Sequence, residues 1–220
     1  MQTFLTYLKS PRYIKTEHIQ FSYFFKFFIQ AFIVLLFVSI LPAVLNLILD
    51  IPENKIETSG FFIIIGIIVL APIIEEVFFR LWLKPLYINY LLLLFILVCV
   101  VVLSFLKKQF LVTGITGFLV IALTYLLAGK KIKDIQRFVL KYFKYLFFLS
   151  ALMFGLVHLF NIEHLSIVAL VVTPVLILPQ FVAGLFLGFI RMKFGIFYSI
   201  LFHSLINIFP ALMILINTTY

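Results

Sequence analysis

Apolar runs of about 20 residues recur along almost the whole of this 220-residue chain, and this repetition limits the folds that it can adopt. A run of that length spans the hydrocarbon layer of a bilayer when it forms an α-helix. The composition agrees, because 65% of the residues are hydrophobic and only 11% are charged. We therefore predict an all-α protein, a polytopic membrane helix bundle of about seven transmembrane helices, with roughly six to eight as the range.

The predicted membrane spans leave no length for a separate soluble domain. They cover residues 27–49, 61–83, 88–106, 110–128, 145–161, 167–190 and 195–216. The span 167–190 contains Pro174 and Pro179, so it is predicted to be either one kinked helix or a broken one. Residues 1–26 are predicted to be a basic N-terminal arm, and residues 27–220 a single transmembrane domain.

The basic residues indicate how the chain lies in the membrane. Of the 17 Lys and Arg residues, all except Lys55, Lys107 and Lys108 fall on one side when the spans alternate. The positive-inside rule makes that side the cytoplasm, so the N-terminal arm is predicted to be cytoplasmic. The stretch 130–144 is expected to be a solvated basic loop that attracts anionic lipid. This distribution argues for the lipid bilayer as a partner and against nucleic acid, although the net charge is +9.

Two adjacent glutamates, Glu75 and Glu76, interrupt the second predicted span, and Arg80 follows them by about one helical turn. Each ionised group at mid-membrane costs roughly 2.5 to 3.5 kcal/mol on an insertion scale, so such a cluster indicates a functional site. Glu76 and Arg80 have the i, i+4 spacing of an ion pair, which leaves Glu75 for chemistry. The other interpretation makes both glutamates structural counter-charges within the bundle.

Three further polar side chains, His158, His203 and Asn207, are predicted at membrane depth. Helix rise places them and Glu75 about 13 to 21 Å from the cytoplasmic ends of their spans, so all four can meet. His203 and Asn207 share one helix face. A carboxylate with an imidazole can take a proton from water, and a second imidazole with an amide can stabilise an oxyanion. Hydrolysis is the simplest chemistry for this set.

The three motifs, in this order, resemble the CPBP family, which groups CAAX prenyl endopeptidases of type II with bacteriocin-processing and Abi-type intramembrane proteases. The resemblance rests on Glu75-Glu76 with Arg80, on Phe154 with His158, and on His203 with Asn207, and it covers about residues 61–210. It implies an intramembrane endopeptidase whose catalytic domain is residues 27–220. It further implies that Glu75 activates water with His158, that His203 and Asn207 steady the tetrahedral intermediate, and that Glu76 and Arg80 support the site.

Members of that family carry the name metalloprotease, which raises the question of a cofactor. Glu75, His158 and His203 have the donor types of a two-histidine, one-carboxylate zinc site with an open position for water. The soluble zinc signature His-Glu-x-x-His is absent from the sequence. We therefore favour a mechanism in which glutamate activates water without a metal. A mechanism with a divalent metal such as zinc is the open alternative.

Two features depart from the family pattern. Leu81 follows Arg80 where a glycine is common, and the segment between Arg80 and His158 is long enough to add two spans.

The alternative function is that of a membrane transporter, channel or immunity protein, which would also gather Glu and His at membrane depth as a proton relay. Asn46 and Gln180 are expected to make interhelical hydrogen bonds. The expected substrate is a membrane protein or peptide, and the compact, Phe-rich chain favours a multi-pass protein of a bacterial inner membrane.

Overall fold

The structure is a computed structural model that describes residues 2–49, 64–84, 131–162 and 166–219. This part of the chain is helical, without a β-strand, and the all-α prediction is confirmed. In chain order its α-helices are α1 (Gln2–Lys9), α2 (Phe21–Leu49), α3 (Ala71–Arg80), α4 (Lys131–Lys141), α5 (Phe143–Val157), α6 (Ile167–Leu176), α7 (Leu178–Phe194) and α8 (Ile196–Thr219). A π-helical stretch, Gly66–Leu70, precedes α3, and 3-10 turns follow α3 at Leu81–Leu83 and α5 at His158–Asn161.

Within the described residues, three segments are long and apolar enough to cross a membrane: Phe21–Leu49, Ile167–Phe194 and Ile196–Ile216. Phe143–Val157 is apolar but shorter. Many large side chains of Phe21–Leu49 and Ile196–Ile216 are exposed, as expected of helices that contact lipid on one side, whereas the second half of Ile167–Phe194 is mostly buried. The predicted spans 88–106 and 110–128 lie outside the described residues.

The segment 167–190 is broken, which was one of its two predicted forms. Helix α6 ends at Leu176 and α7 begins at Leu178, with Pro179 in the first turn of the new helix. Proline has no backbone N–H and cannot continue the hydrogen-bond ladder of the preceding helix. The prediction of a solvated loop at 130–144 is wrong, because most of this stretch is the amphipathic helix α4.

Helices α5 and α7 form the closest packing of the bundle. A Cβ atom at Gly184 would lie 3.0 Å from the Cα atom of Ala151, and one at Gly188 would lie 2.7 Å from the Cε2 atom of Phe147. The Gly-x-x-x-Gly spacing puts both glycines on the same face of α7. These glycines let the two helices approach closely. The close contact fixes the position of the 3-10 turn after α5 relative to α7.

The N-terminal arm packs against the bundle. Phe4 of α1 is only 3% exposed, and its ring stacks on Phe186 of α7 with a centroid separation of 4.6 Å. The backbone N–H of Glu17 donates to the carbonyl of Lys193 at the end of α7. Helix α2 also begins at Phe21, within the predicted arm. The arm therefore covers the end of α7.

Helices α7 and α8 form a tight hairpin at Gly195. The φ angle of this residue is +101°, a conformation that favours glycine. Its N–H donates to the carbonyl of Arg191, and its own carbonyl accepts from Ser199 N–H. The turn sets the rotation of α8, and so determines which of its polar residues face α3.

Candidate active site

Glu76 of α3 lies at the centre of the polar cluster, with none of its surface exposed. Its Oε1 atom accepts a hydrogen bond of 2.6 Å from Nη1 of Arg80, and its Oε2 atom accepts one of 2.5 Å from the hydroxyl of Ser199. The Nδ1 atom of His203 lies 3.1 Å from Oε1. The carboxylate thus has three polar partners from two helices, which offset the loss of water on burial.

The ion pair between Glu76 and Arg80, which the i, i+4 spacing predicts, is present. The guanidinium of Arg80 is completely buried, and its central carbon lies 4.0 Å from the ring centroid of Phe154. Cations are attracted to the face of an aromatic ring, and more strongly where water is excluded. Glu76 and Phe154 together therefore accommodate the buried positive charge.

One face of α8 supplies three polar side chains to the site: Ser199, His203 and Asn207. Their spacing of four residues places them one above another along that helix. The amide Nδ2 of Asn207 donates to the carbonyl of Ile67 at 3.0 Å. Ile67 belongs to the π-helical stretch before α3, a geometry that is frequent at functional sites. This bond joins α8 to the segment that carries both glutamates.

Glu75 has a different environment from its neighbour, as the rotation of about 100° per residue along a helix requires. Its side chain is 27% exposed, and its Oε2 atom lies 3.6 Å from Nε2 of His203. That oxygen is enclosed and has no hydrogen bond within the described part of the chain. The imidazole of His203 thus stands between two carboxylates, one that is fully engaged and one that is not.

His158 begins the 3-10 turn after α5 and packs against Phe154. Its Nδ1 atom is 2.8 Å from the carbonyl of Phe154, so Nδ1 carries the proton in that bond and Nε2 points elsewhere. Its ring contacts the edge of Phe154 at a centroid distance of 4.9 Å. Where the resemblance pairs Glu75 with His158, the described structure joins these two by neither hydrogen bond nor ion pair, and Glu75 faces His203.

The predicted residues do not gather into a metal site. In the described ranges, no three His, Cys, Asp or Glu side chains are grouped closely enough to hold one ion. Glu75 and His203 are neighbours, whereas His158 packs against Phe154 and has no hydrogen bond or ion pair with either of them in the described part of the chain. As placed, these three residues do not fit a two-histidine, one-carboxylate zinc centre.

Three residues outside the sequence motifs hold the site in place. Ser199 donates to Glu76, Ser150 of α5 donates to the carbonyl of Phe79 at 2.7 Å, and Arg191 of α7 donates to the carbonyls of Arg80 and Leu81 at 3.2 and 3.3 Å. The last two satisfy carbonyl groups at the end of α3 that have no partner within the helix. Only Ser199 had a sequence signal, its spacing of four from His203.

Leu81, one of the two departures from the family pattern, is 2% exposed and lies in the 3-10 turn after α3. Its carbonyl accepts one of the Arg191 bonds, so the turn is anchored to α7. The two spans expected between Arg80 and His158 lie outside the described residues.

An all-α bundle of apolar helices that buries a glutamate, an arginine and a histidine in one connected cluster defines a membrane protein with a polar centre among its helices. A family model described as Type II CAAX prenyl endopeptidase Rce1-like matches residues 57–209, which is more than half of the chain. The chain belongs to this family and is therefore a membrane protease, and the resemblance drawn from its motifs is confirmed. No curated protein and no solved structure matches the chain significantly.

Proposed function

We propose that this protein is an intramembrane endopeptidase in which Glu75 activates the attacking water. The observation that carries the proposal is the contrast between the two glutamates. Arg80, Ser199 and His203 occupy the oxygens of Glu76, whereas Oε2 of Glu75 accepts no hydrogen bond within the described residues. A general base needs a lone pair that no protein donor occupies, and Glu75 is the carboxylate that offers one.

In the proposed mechanism, Glu75 takes a proton from water while the water oxygen attacks the carbonyl carbon of the scissile peptide bond. The tetrahedral intermediate then loses its amine, and the proton held by Glu75 passes to the leaving nitrogen. One water is consumed, the C–N bond breaks, and a carboxylic acid and an amine are released. Glu75 returns to its starting state without a covalent intermediate on the protein.

His203 and Asn207 are proposed to act on the oxygen of the scissile carbonyl. Nδ1 of His203 is directed to Glu76, so Nε2, when protonated, can donate to a developing oxyanion beside Glu75. Asn207 uses one of its two amide hydrogens on Ile67, and the other remains for the same oxyanion. Glu76 is proposed to hold the His203 ring, and Arg80 to hold Glu76.

His158 is proposed to act at the edge of the site rather than at Glu75. With Nδ1–H directed to the Phe154 carbonyl, its Nε2 atom is left as an acceptor for substrate or water. This role replaces the direct pairing with Glu75 that the family resemblance implies, and it keeps His158 among the residues that touch the substrate.

The proposed substrate is a membrane-associated protein or peptide that reaches the site from within the bilayer. The family description names CAAX prenyl endopeptidases. A prenylated CAAX tail, a bacteriocin-type leader and a membrane regulatory protein are the three substrate classes that we propose to compare. The setting we propose is a bacterial inner membrane with a cytoplasmic N-terminus, where the prenylated tail is the least expected of the three.

The proposal is tested by reconstituting the purified protein in liposomes with a fluorescent peptide from each substrate class. Mass spectrometry identifies the products, and cleavage at one defined peptide bond of at least one class is the expected result. A folded protein that cleaves none of them, and instead conducts protons in a manner that requires Glu75 and His203, would establish the relay alternative.

A further inference from the structure

A cavity of about 320 Å³ adjoins the catalytic centre on the side of His158. The end of α2, the turn after α5 and the break between α6 and α7 form its wall. Its described lining contains amide, hydroxyl and imidazole groups but no Asp, Glu, Lys or Arg. The cavity is therefore suited to a neutral ligand with hydrogen-bonding groups, and it is unlike a site for a phosphate or a lipid headgroup.

The helix break is the first sign that this cavity has a binding role. Leu176, Ile177 and Pro179 of the break all face the cavity. Irregular backbone at membrane depth is tolerated where it is buried in protein or lines a polar cavity, because lipid cannot satisfy its hydrogen bonds. Membrane transporters build substrate sites from interrupted helices for the same reason.

Gln180, the residue of α7 that directly follows Pro179, supplies an acceptor with no donor. Its Oε1 atom is enclosed and has no hydrogen bond within the described ranges, so the interhelical bond expected of this side chain does not involve that oxygen. A carboxamide oxygen removed from water without a partner is destabilising. Because the side chain of Gln180 lines the cavity, its rotation on binding would turn this oxygen to a ligand with an N–H group.

His158 connects the cavity to the catalytic centre. It lines the cavity, its ring contacts Phe154 at 4.9 Å, and Phe154 contacts the ring of His203 at 5.5 Å. These two ring contacts limit the distance between the two imidazoles to about 10 Å, which about three residues of extended chain, at roughly 3.3 Å each, can cover. A peptide whose scissile bond lies at Glu75 can therefore place a neighbouring segment in the cavity.

We propose that this cavity binds the main chain of the substrate about two to three residues from the scissile bond, with the Oε1 atom of Gln180 accepting one backbone N–H. The inference rests on the proposed peptidase function and adds to it a subsite that reads an extended main chain. A peptide main chain fits because it is neutral and presents donors and acceptors in alternation, as the lining requires.

The test uses a peptide that the wild-type protein cleaves and a set of analogues that are N-methylated at one amide each. Methylation removes a single N–H, so we expect kcat/KM to fall about tenfold at one position, two or three residues from the cut. Gln180→Leu is expected to lower kcat/KM by a similar factor on the parent peptide, and to cleave that one analogue as the wild type does. In the Gln180→Leu variant, methylation at that position should cause no further fall in kcat/KM. If each methylated analogue lowers kcat/KM of the variant by as much as it lowers that of the wild type, the proposal is overturned.

Gln20→Leu is the matched control, because it makes the same change of side chain at an exposed position before α2, outside the cavity. It should cleave all analogues like the wild type. Should Gln180→Leu fail to fold, the methylation scan on the wild type decides alone, and a flat scan contradicts the proposal. A wild-type protein that cleaves no peptide contradicts the peptidase function itself, so the two failures are distinguishable.

Discussion

The Nε2 atom of His203 lies 3.6 Å from the Oε2 atom of Glu75. The other nitrogen of the same ring lies 3.1 Å from Oε1 of Glu76. One imidazole therefore links two adjacent carboxylates that the helix directs to different sides. This relationship supports separate roles for the glutamates: Glu76 contacts the ring and pairs with Arg80, while Glu75 is proposed to face the space where substrate and water meet.

Glu76→Gln should lower stability more than Glu75→Gln does. Removing the charge of Glu76 leaves the guanidinium of Arg80 buried without its counter-ion, and breaking such a pair typically costs about 3 to 5 kcal/mol. Thermal unfolding in detergent should show a clear drop for Glu76→Gln. The double variant Glu76→Gln with Arg80→Met should recover part of it, because no unpaired cation remains. Equal destabilisation by the two glutamine variants would contradict this assignment.

Gly184→Val should destabilise the bundle, because a Cβ atom there meets the backbone of Ala151 on α5. Overpacking of this kind costs roughly 1 to 3 kcal/mol or more where backbone must move. Gly66→Ala is the matched control, since nothing lies within 4 Å of the added Cβ atom. Thermal unfolding in the same detergent should show a lower midpoint for Gly184→Val and a midpoint close to that of the wild type for Gly66→Ala. A neutral Gly184→Val would show that α5 and α7 are not held this closely.

Lys84, which follows the predicted second span, should make stability depend on alkaline pH. The side chain is 2% exposed and donates to Thr16 at 2.8 Å. Burial, and to a smaller extent the charge of Arg191, lowers the pKa of Lys84 from 10.5 to about 8. Between these values the unfolded chain binds a proton that the native protein does not. The free energy of unfolding therefore rises with pH across this window, by roughly 3 kcal/mol if the whole shift is realised.

The measurement is the unfolding midpoint of the wild type and of Lys84→Met between pH 7 and pH 10. The difference between the two proteins should shrink as the pH rises, because deprotonation removes the cost of burying the charge. Lys144→Met, at an exposed position of α5, is the control and should follow the wild type throughout. A constant difference between Lys84→Met and the wild type would contradict the shifted pKa.

Asn207→Ala should lower kcat with a much smaller change in KM. Loss of one oxyanion donor typically reduces kcat by about 10²- to 10³-fold, whereas a residue that only binds substrate changes KM. Ser204→Ala is the neighbouring control on α8 and should retain activity. Steady-state kinetics on the cleaved peptide separates the two parameters. A change confined to KM would remove Asn207 from the proposed oxyanion site.

Several features were accessible from the sequence because they depend on local spacing. The Glu76–Arg80 pair follows from an interval of four residues on one helix, and the break at Ile177 follows from two prolines. The all-α fold follows from the length of the apolar runs. In each case the feature depends on neighbours along one helix or on the thickness of the bilayer, so it can be predicted by counting residues in the sequence.

The sequence does not predict in the same way which side chains on different helices face each other. Helix rise gives depth, but the rotation of α5 and α8 about their axes decides which imidazole faces Glu75, and that rotation is set by packing. The close approach at Gly184 and Gly188 and the hairpin at Gly195 fix it. His203, rather than His158, is thereby turned toward Glu75. The charge density of 130–144 predicts a solvated loop, whereas its residues form the amphipathic helix α4 over most of that stretch.

The central claim is that Glu75 is the base, and the most direct test is the cleavage rate of Glu75→Gln on a peptide that the wild type cleaves. Glutamine keeps the size of the side chain but cannot accept a proton from water, so we expect the rate to fall by about 10²- to 10⁴-fold while the unfolding midpoint stays near that of the wild type. Glu17→Gln, at an exposed glutamate of the N-terminal arm, should cleave normally. A Glu75→Gln protein that cleaves at the wild-type rate would contradict the mechanism.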